Sequence, residues 1–370
     1  MLDDRNLSDY NPRSRYNVSM RLCSICLCAV AAVAACMPIE PQASGSVLYV
    51  YRLDEPAFIE LDADLQPSRE IPFAAPAGCG FGGVFPAPRG PLLAIELNCA
   101  FGPAVMWLNT DTSEVEQPIT SSDSHFLAWA PTGDAVYLRI DSINRPRIVR
   151  LLVNGSQAAL PISDFTYDVA PVPTGGDFLF TFSQGMGLGS EMWYARRDGA
   201  DVEQIAADEA NYLSLARWSP DGGKIAFIKI PDSATPFTVG ELWVMEADGT
   251  EPRMLAQADA GHGFAPAWSP DSRRIAFVAR ENPNEPQANE SAAALISNLY
   301  LVNLDGGEAV RFTDFGSRRV ESPAWQPGGE TIAFTAVVDD RMTVFLKNVL
   351  RGDMQQLPID SICCAGWLRR

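Results

Sequence analysis

The chain is 370 residues long, 47% hydrophobic and 20% charged, with a formal net charge of −18. That length exceeds one ordinary compact core, so it implies two domains or one closed repeat array. The acidic balance, with no Lys/Arg run to offset it, excludes a nucleic-acid-binding role, because phosphate binding needs a basic face.

Residues 1–19 are polar and include Asp3, Asp4 and Asp9. Residues 20–36, MRLCSICLCAVAAVAAC, run from Arg21 through small and apolar residues to Cys36. An apolar run this short is a signal-peptide core, too short to span a bilayer comfortably. Val33-Ala34-Ala35-Cys36 resembles the bacterial lipoprotein lipobox, in which the cysteine is lipidated and becomes the new N-terminus. Cleavage as an ordinary secretory peptide near Ala34 or Ala35 is the other reading. Residues 1–35 are thus expected to be a signal segment, with Met20 as an alternative start, and 36–45 a lipidated cysteine with a short tether. The expected location is extracytoplasmic: the outer side of the cytoplasmic membrane, the periplasm or the outer membrane, with lipid as the only membrane contact.

From residue 46 onward, Gly and Pro cluster between short apolar runs and long helical periodicity is missing, which marks an all-β protein with many turns. SVLYVY (46–51), AFIEL (57–61) and REIPF (69–73) read as strands of a sheet that lacks its first strand. Residues 78–83, GCGFGG, formally match G-x-G-x-x-G. Pro86, Pro88 and Pro91 follow where a dinucleotide fold needs a helix, so the stretch is read as a loop entering the next sheet. Cys79 and Cys99 flank a hairpin whose turn centres near Arg89-Gly90. They are therefore expected to face each other and form a disulfide, in keeping with export.

AWAPTGDAVYLRID (128–141) begins a motif that returns as ARWSPDGGKIAFIKI (216–230), AWSPDSRRIAFVAR (267–280) and AWQPGGETIAFTAV (324–337). Its anchors are Trp129, Trp218, Trp268 and Trp325. Degenerate copies at 86–97 and 171–182 place Pro86 and Pro171 in the tryptophan slot. Ser219-Pro220-Asp221-Gly222 suits a type I turn. An alternating strand follows, then ELWVMEA, the hairpin dipeptide Asp248-Gly249, and a last strand, PRMLAQ. Four strands in a period of about 40–50 residues make one propeller blade.

This motif resembles the PD40 (WD40-like, TolB-type) propeller repeat, whose pattern runs W-S-P-D-G, I-A-F, I-Y-V, D-G, R-L-T. The resemblance is clearest from Trp218 onward and implies a β-propeller of four-stranded blades over residues 46–370. SICCAGWLRR at the C-terminus puts Trp367 in the tryptophan slot and supplies the first strand missing from the first sheet. That gives seven blades, with six or eight left open by the weak early copies. TolB's separate N-terminal domain is not expected between Cys36 and the first strand.

In a propeller the connections into each blade's first strand emerge on one face, the usual ligand face. It is expected to carry His125, Tyr167, Asp168, Tyr212, His262, Arg318 and Glu321, a mixture suited to peptide or sugar recognition. His125 and His262 fall in blades on opposite sides of the ring and make a poor metal site without carboxylates. Lyases of related fold use a histidine-rich metal site that these two histidines cannot supply. No nucleophile elbow is present, and no catalytic residue, metal or cofactor is assigned. The longest interruption, residues 280–298, opens on the same face and is read as a lid or partner contact, or as disorder. The expected function is a monomeric, membrane-tethered binding module or scaffold for a protein, peptide or glycan. The alternative is a hydrolase or lyase using that face.

Overall fold

The computed structural model describes residues 45–62, 64–119, 123–141, 146–233, 235, 237–259, 264–339, 341–359 and 362–369. Cys36, the signal segment and His262 lie outside them. The described strands form seven four-stranded antiparallel sheets, the blades of a propeller. Their first, innermost strands are Ile362–Arg369 for blade 1, Cys79–Pro86 for blade 2, Ser124–Trp129 for blade 3 and Thr166–Pro171 for blade 4. Blades 5, 6 and 7 begin with Asn211–Trp218, Ala267–Trp268 and Val320–Trp325. Apart from two short 3-10 turns in the blade-6 insertion, no helix occurs among the described residues.

Blade 1 is the closure. Ser46–Arg52 pairs antiparallel with Ile362–Arg369, setting Leu48 opposite Trp367 and Val50 opposite Ala365. The first and last described strands therefore share one sheet, and the described strands make seven blades, not six or eight.

The second strands read as nearly unbroken apolar runs because neighbouring blades cover both of their faces. In Ser46–Arg52, Leu48 and Val50 pack with Ala333, Val344 and Leu346 of blade 7. The alternate residues Tyr49 and Tyr51 pack with Leu93, Ile95 and Leu97 of blade 2. Five further apolar clusters fill the remaining seams between successive blades.

The repeat's signature residues have separate tasks. In the Ser219–Gly222 turn, Gly222 N–H donates to Ser219 O at 2.8 Å. Ser219 Oγ donates to Asp221 Oδ1 at 2.6 Å, and Asp221 also accepts from Gly223 N–H at 3.0 Å. The Ser219 hydrogen bond is the first cause that holds the Asp221 carboxyl below its usual range. Each tryptophan instead reaches backward. Trp129, Trp218, Trp268 and Trp325 donate Nε1–H to Phe85 O, Ala170 O, Arg217 O and Ala267 O at 2.8–3.0 Å. Trp367 donates to Ala324 O at 3.3 Å. Every acceptor lies on the first strand of the preceding blade.

The glycine-rich stretch corrects one expectation. Residues 79–86 are the first strand of blade 2, not a loop entering it. A Cβ at Gly82 would lie 2.9 Å from Glu96 O on the adjoining strand, so only glycine allows that approach. The strand's register shifts between Phe81 and Gly83. Cys79 and Cys99 are direct partners in this pairing and are joined by a disulfide.

At the closing seam, Gly366 lies where a Cβ would stand 2.4 Å from Pro86 Cγ. Gly366→Ala is expected to cost about 1–3 kcal/mol through overpacking, and Pro86→Ala should recover part of that loss. A chain ending at residue 361 should aggregate, because blade 1 loses its first strand. Denaturant melts and size-exclusion chromatography check both; a monomeric truncation with an unchanged melt would show that closure does not depend on this strand.

Candidate functional site

Connections into each first strand, and those between second and third strands, leave on one face of the ring. The tryptophan turns leave on the other. A cavity of about 710 Å³ follows the central channel from the loop face, where Leu53 and Met342 border it, to the level of Arg217 and Ala324. An apolar arc of Phe81, Val84, Phe85 and Phe264 meets two charged side chains, Arg217 and Glu321.

Both charged groups sit at bulges. Register shifts fall between Ser214 and Arg217 and between Glu321 and Ala324. Leu215 and Ser322 occupy the left-handed region there, at φ 56° and 54°. A bulge re-aims neighbouring side chains and frees backbone groups from the ladder. Ala216 N–H, inside the first bulge, donates to Asp168 Oδ2 of blade 4 at 2.7 Å. Arg217 Nη1 donates to Ala216 O at 2.6 Å and lies 3.4 Å from Asp168 Oδ1. Glu321 is 7% exposed and forms an ion pair with Arg319.

The structure brings Tyr167, Asp168 and Tyr212 together at the seam of blades 4 and 5. The Tyr167 hydroxyl donates to Leu213 O at 2.8 Å, and its ring meets Tyr212 edge-on at 6.2 Å. Burial pushes the Tyr167 phenol up from its ordinary value. Asp168 is only 7% exposed and is engaged between blades.

His125 lies apart from this group, on blade 3, with Nε2 3.5 Å from Asp141 Oδ2. Asp123, His125 and Asp141 are the only three such groups among the described residues whose ligand atoms approach within 4.8 Å of one another. Sequence reasoning missed Asp141, which follows the second strand and is not in a connection into a blade. Its signal was the hairpin register, which sets His125 opposite Arg139. Two carboxylates and an imidazole suit a divalent cation, but Arg139 Nε already donates to Asp141 Oδ1 at 2.7 Å.

Arg318 lies farther out, in a pocket of about 620 Å³ between blade 7 and the blade-6 insertion. The insertion carries 3-10 turns at Pro286–Asn289 and Ala292–Ala294 and buries Ala288 and Leu295.

Glu96, a further residue missed from sequence, stands on the second strand of blade 2 and accepts Phe126 N–H of blade 3 at 2.6 Å. Burial pushes its carboxyl above the usual range, and the Phe126 hydrogen bond opposes that rise. The folded state therefore holds the Glu96 proton more tightly than the unfolded chain. That contribution to stability is fully present below the ordinary glutamate pKa and is lost as pH rises through the raised value. Glu96→Gln keeps an acceptor for Phe126 without a buried charge. Its melting temperature should exceed wild type by a few degrees at neutral pH, and the gain should vanish on acidification; a loss at neutral pH would contradict this account.

A family model described as the TolB beta propeller domain, PD40, matches residues 179–363, from the second strand of blade 4 to the closing strand of blade 1. No curated protein matches the chain. Among solved structures, an oligogalacturonate lyase in complex with manganese superposes with a TM-score of 0.58 and 14% identity, over 79% of this chain and 82% of that one. A prolyl endopeptidase gives 0.62 and 8% identity over 87% of this chain and 49% of its own. TolB from Acinetobacter baumannii gives 0.48 and 16% identity, over 87% and 82%. At these identities the likeness to the lyase and the endopeptidase is one of fold alone. The family match spans half of the chain: the chain belongs to the PD40 family of TolB-type β-propeller domains.

Proposed function

We propose that this propeller is a membrane-tethered, extracytoplasmic binding module that takes a protein, peptide or glycan at the loop-face mouth of its channel. The channel cavity carries the reading. It is concave and largely apolar, with two charged groups held at fixed positions, which is the usual make-up of a ligand site. The Cys79–Cys99 disulfide supports an oxidising compartment, and Val33-Ala34-Ala35-Cys36 supports a lipid tether. No helix among the described residues is long and apolar enough to cross a membrane.

A photo-crosslinking residue tests the face directly. Leu53 is 45% exposed at the channel mouth, and Leu350 is 83% exposed on the tryptophan-turn face. Crosslinked adducts are expected in cells from position 53 and not from 350, and Ala265→Trp, which fills the channel, should remove them. Adducts from position 350 alone would place binding on the other face. For the tether, Cys36→Ser should move the protein out of the membrane fraction, and fatty-acid label retained on that variant would refute lipidation at Cys36.

A hydrolase or lyase acting on this face is the second reading, and the Asp123, His125 and Asp141 group is what favours it. Manganese, zinc or calcium raising the wild-type melting temperature, but not that of Asp141→Asn, would move the assignment toward that chemistry.

A further inference from the structure

The blade-6 insertion and blade 7 enclose a pocket distinct from the channel, and we propose that it binds the free C-terminal carboxylate of a peptide with small aliphatic terminal residues. The choice of ligand class rests on the peptide-binding reading above; the site does not.

The pocket has a fixed wall. Asn282 clamps the insertion, accepting Ile296 N–H at 3.0 Å and donating to Ala294 O at 2.8 Å. Below it, Arg280 and Asp259 form a fully buried ion pair at 3.1 Å, and Arg280 Nη1 donates to Asn289 Oδ1 at 2.9 Å. A loop of this length held by buried groups is built to present a surface.

The two arginines on the opposite wall differ in what they are free to do. Arg319 Nη1 donates to Ala292 O at 3.1 Å and is ion-paired with Glu321, so it is committed to holding the insertion and the channel edge together. Arg318 has one ion partner among the described residues, Asp339 Oδ1 at 3.8 Å, beyond hydrogen-bond distance. With the two side chains 46% and 88% exposed, that pair is weak and easily displaced. A guanidinium in this state offers a planar fork of donors that fits a carboxylate in bidentate fashion.

The remaining walls select the class. Ala292, Ala293, Leu295 and Val337 are aliphatic and leave room for small side chains, and Ser317 stands beside the cation. Asp339, close to Arg318, repels a second negative charge. A monocarboxylate is therefore favoured over a phosphate or a polyuronate.

The full chain is titrated with acetyl-Ala-Ala-Val as the free acid and as the amide. The acid should bind about tenfold more tightly or better, the range of a charge-assisted hydrogen bond, and Arg318→Gln should abolish that preference. Ala293→Trp, a change at an exposed position on the pocket wall, should weaken the acid about tenfold without lowering the melting temperature. Equal binding of acid and amide, no binding of either at millimolar concentration, or an acid preference that survives Arg318→Gln would overturn the proposal. A preference lost in Ala265→Trp but kept in Arg318→Gln would place the carboxylate in the channel, overturning this pocket and leaving the channel reading intact. A hexuronate monomer that binds as tightly as the acid peptide would overturn the peptide assignment.

Discussion

The seal between neighbouring blades is the interaction on which the rest of the structure depends. A four-stranded sheet has no core of its own, and each blade here is buried only by the two beside it. Its innermost strand also has an edge that faces the channel, with backbone groups left unpaired. The repeated tryptophan meets both needs: the ring fills the seam, and its N–H satisfies a carbonyl of the preceding blade's first strand. Proline has no such donor, so the seams entering blades 2 and 4 lack this bond at Pro86 and Pro171, and Arg69 of blade 1 instead donates to Thr110 O of blade 2 at the outer edge of the first. At the first of these the approach is so close that only glycine fits at position 366.

This seal shapes the channel. First strands that must be satisfied by the next blade carry bulges, and those bulges aim Arg217 and Glu321 into the cavity. Carboxylates that resemble site residues are largely used in the same seams. Asp168 accepts Ala216 N–H, freed by the blade-5 bulge, and Glu96 accepts Phe126 N–H of blade 3. Serine does the same work near the loop face: Ser190 Oγ accepts Leu213 N–H and Ser297 Oγ accepts Val320 N–H. What remains for a ligand is a small set of groups that the ring has not already engaged.

The blade-6 insertion adds a second layer over this ring. Through Arg319, which touches Ala292 O on one side and Glu321 on the other, the insertion is tied to the channel edge. Channel and pocket thus share a wall while exposing different cations, Arg217 in one and Arg318 in the other. The prolyl endopeptidase and lyase of similar fold show that this architecture does not choose a chemistry by itself.

The repeat, the closure of the ring by the C-terminal strand and the partnership of Cys79 with Cys99 were legible in the sequence. All depend on local signals: a tryptophan before a tight turn, alternating apolar residues, hairpin dipeptides and a known turn centre. The strand identity of residues 79–86 was not legible, because glycine carries no strand preference and Gly82 is required only by the approach of Glu96 O. Nor was the distinction between Asp168, spent in a seam, and Arg318, whose ion partner among the described residues is the exposed Asp339. Tertiary structure decided these points, because the groups that engage Asp168 and Arg319 come from other blades and from the folded insertion. Distance along the chain does not show which of those groups will meet.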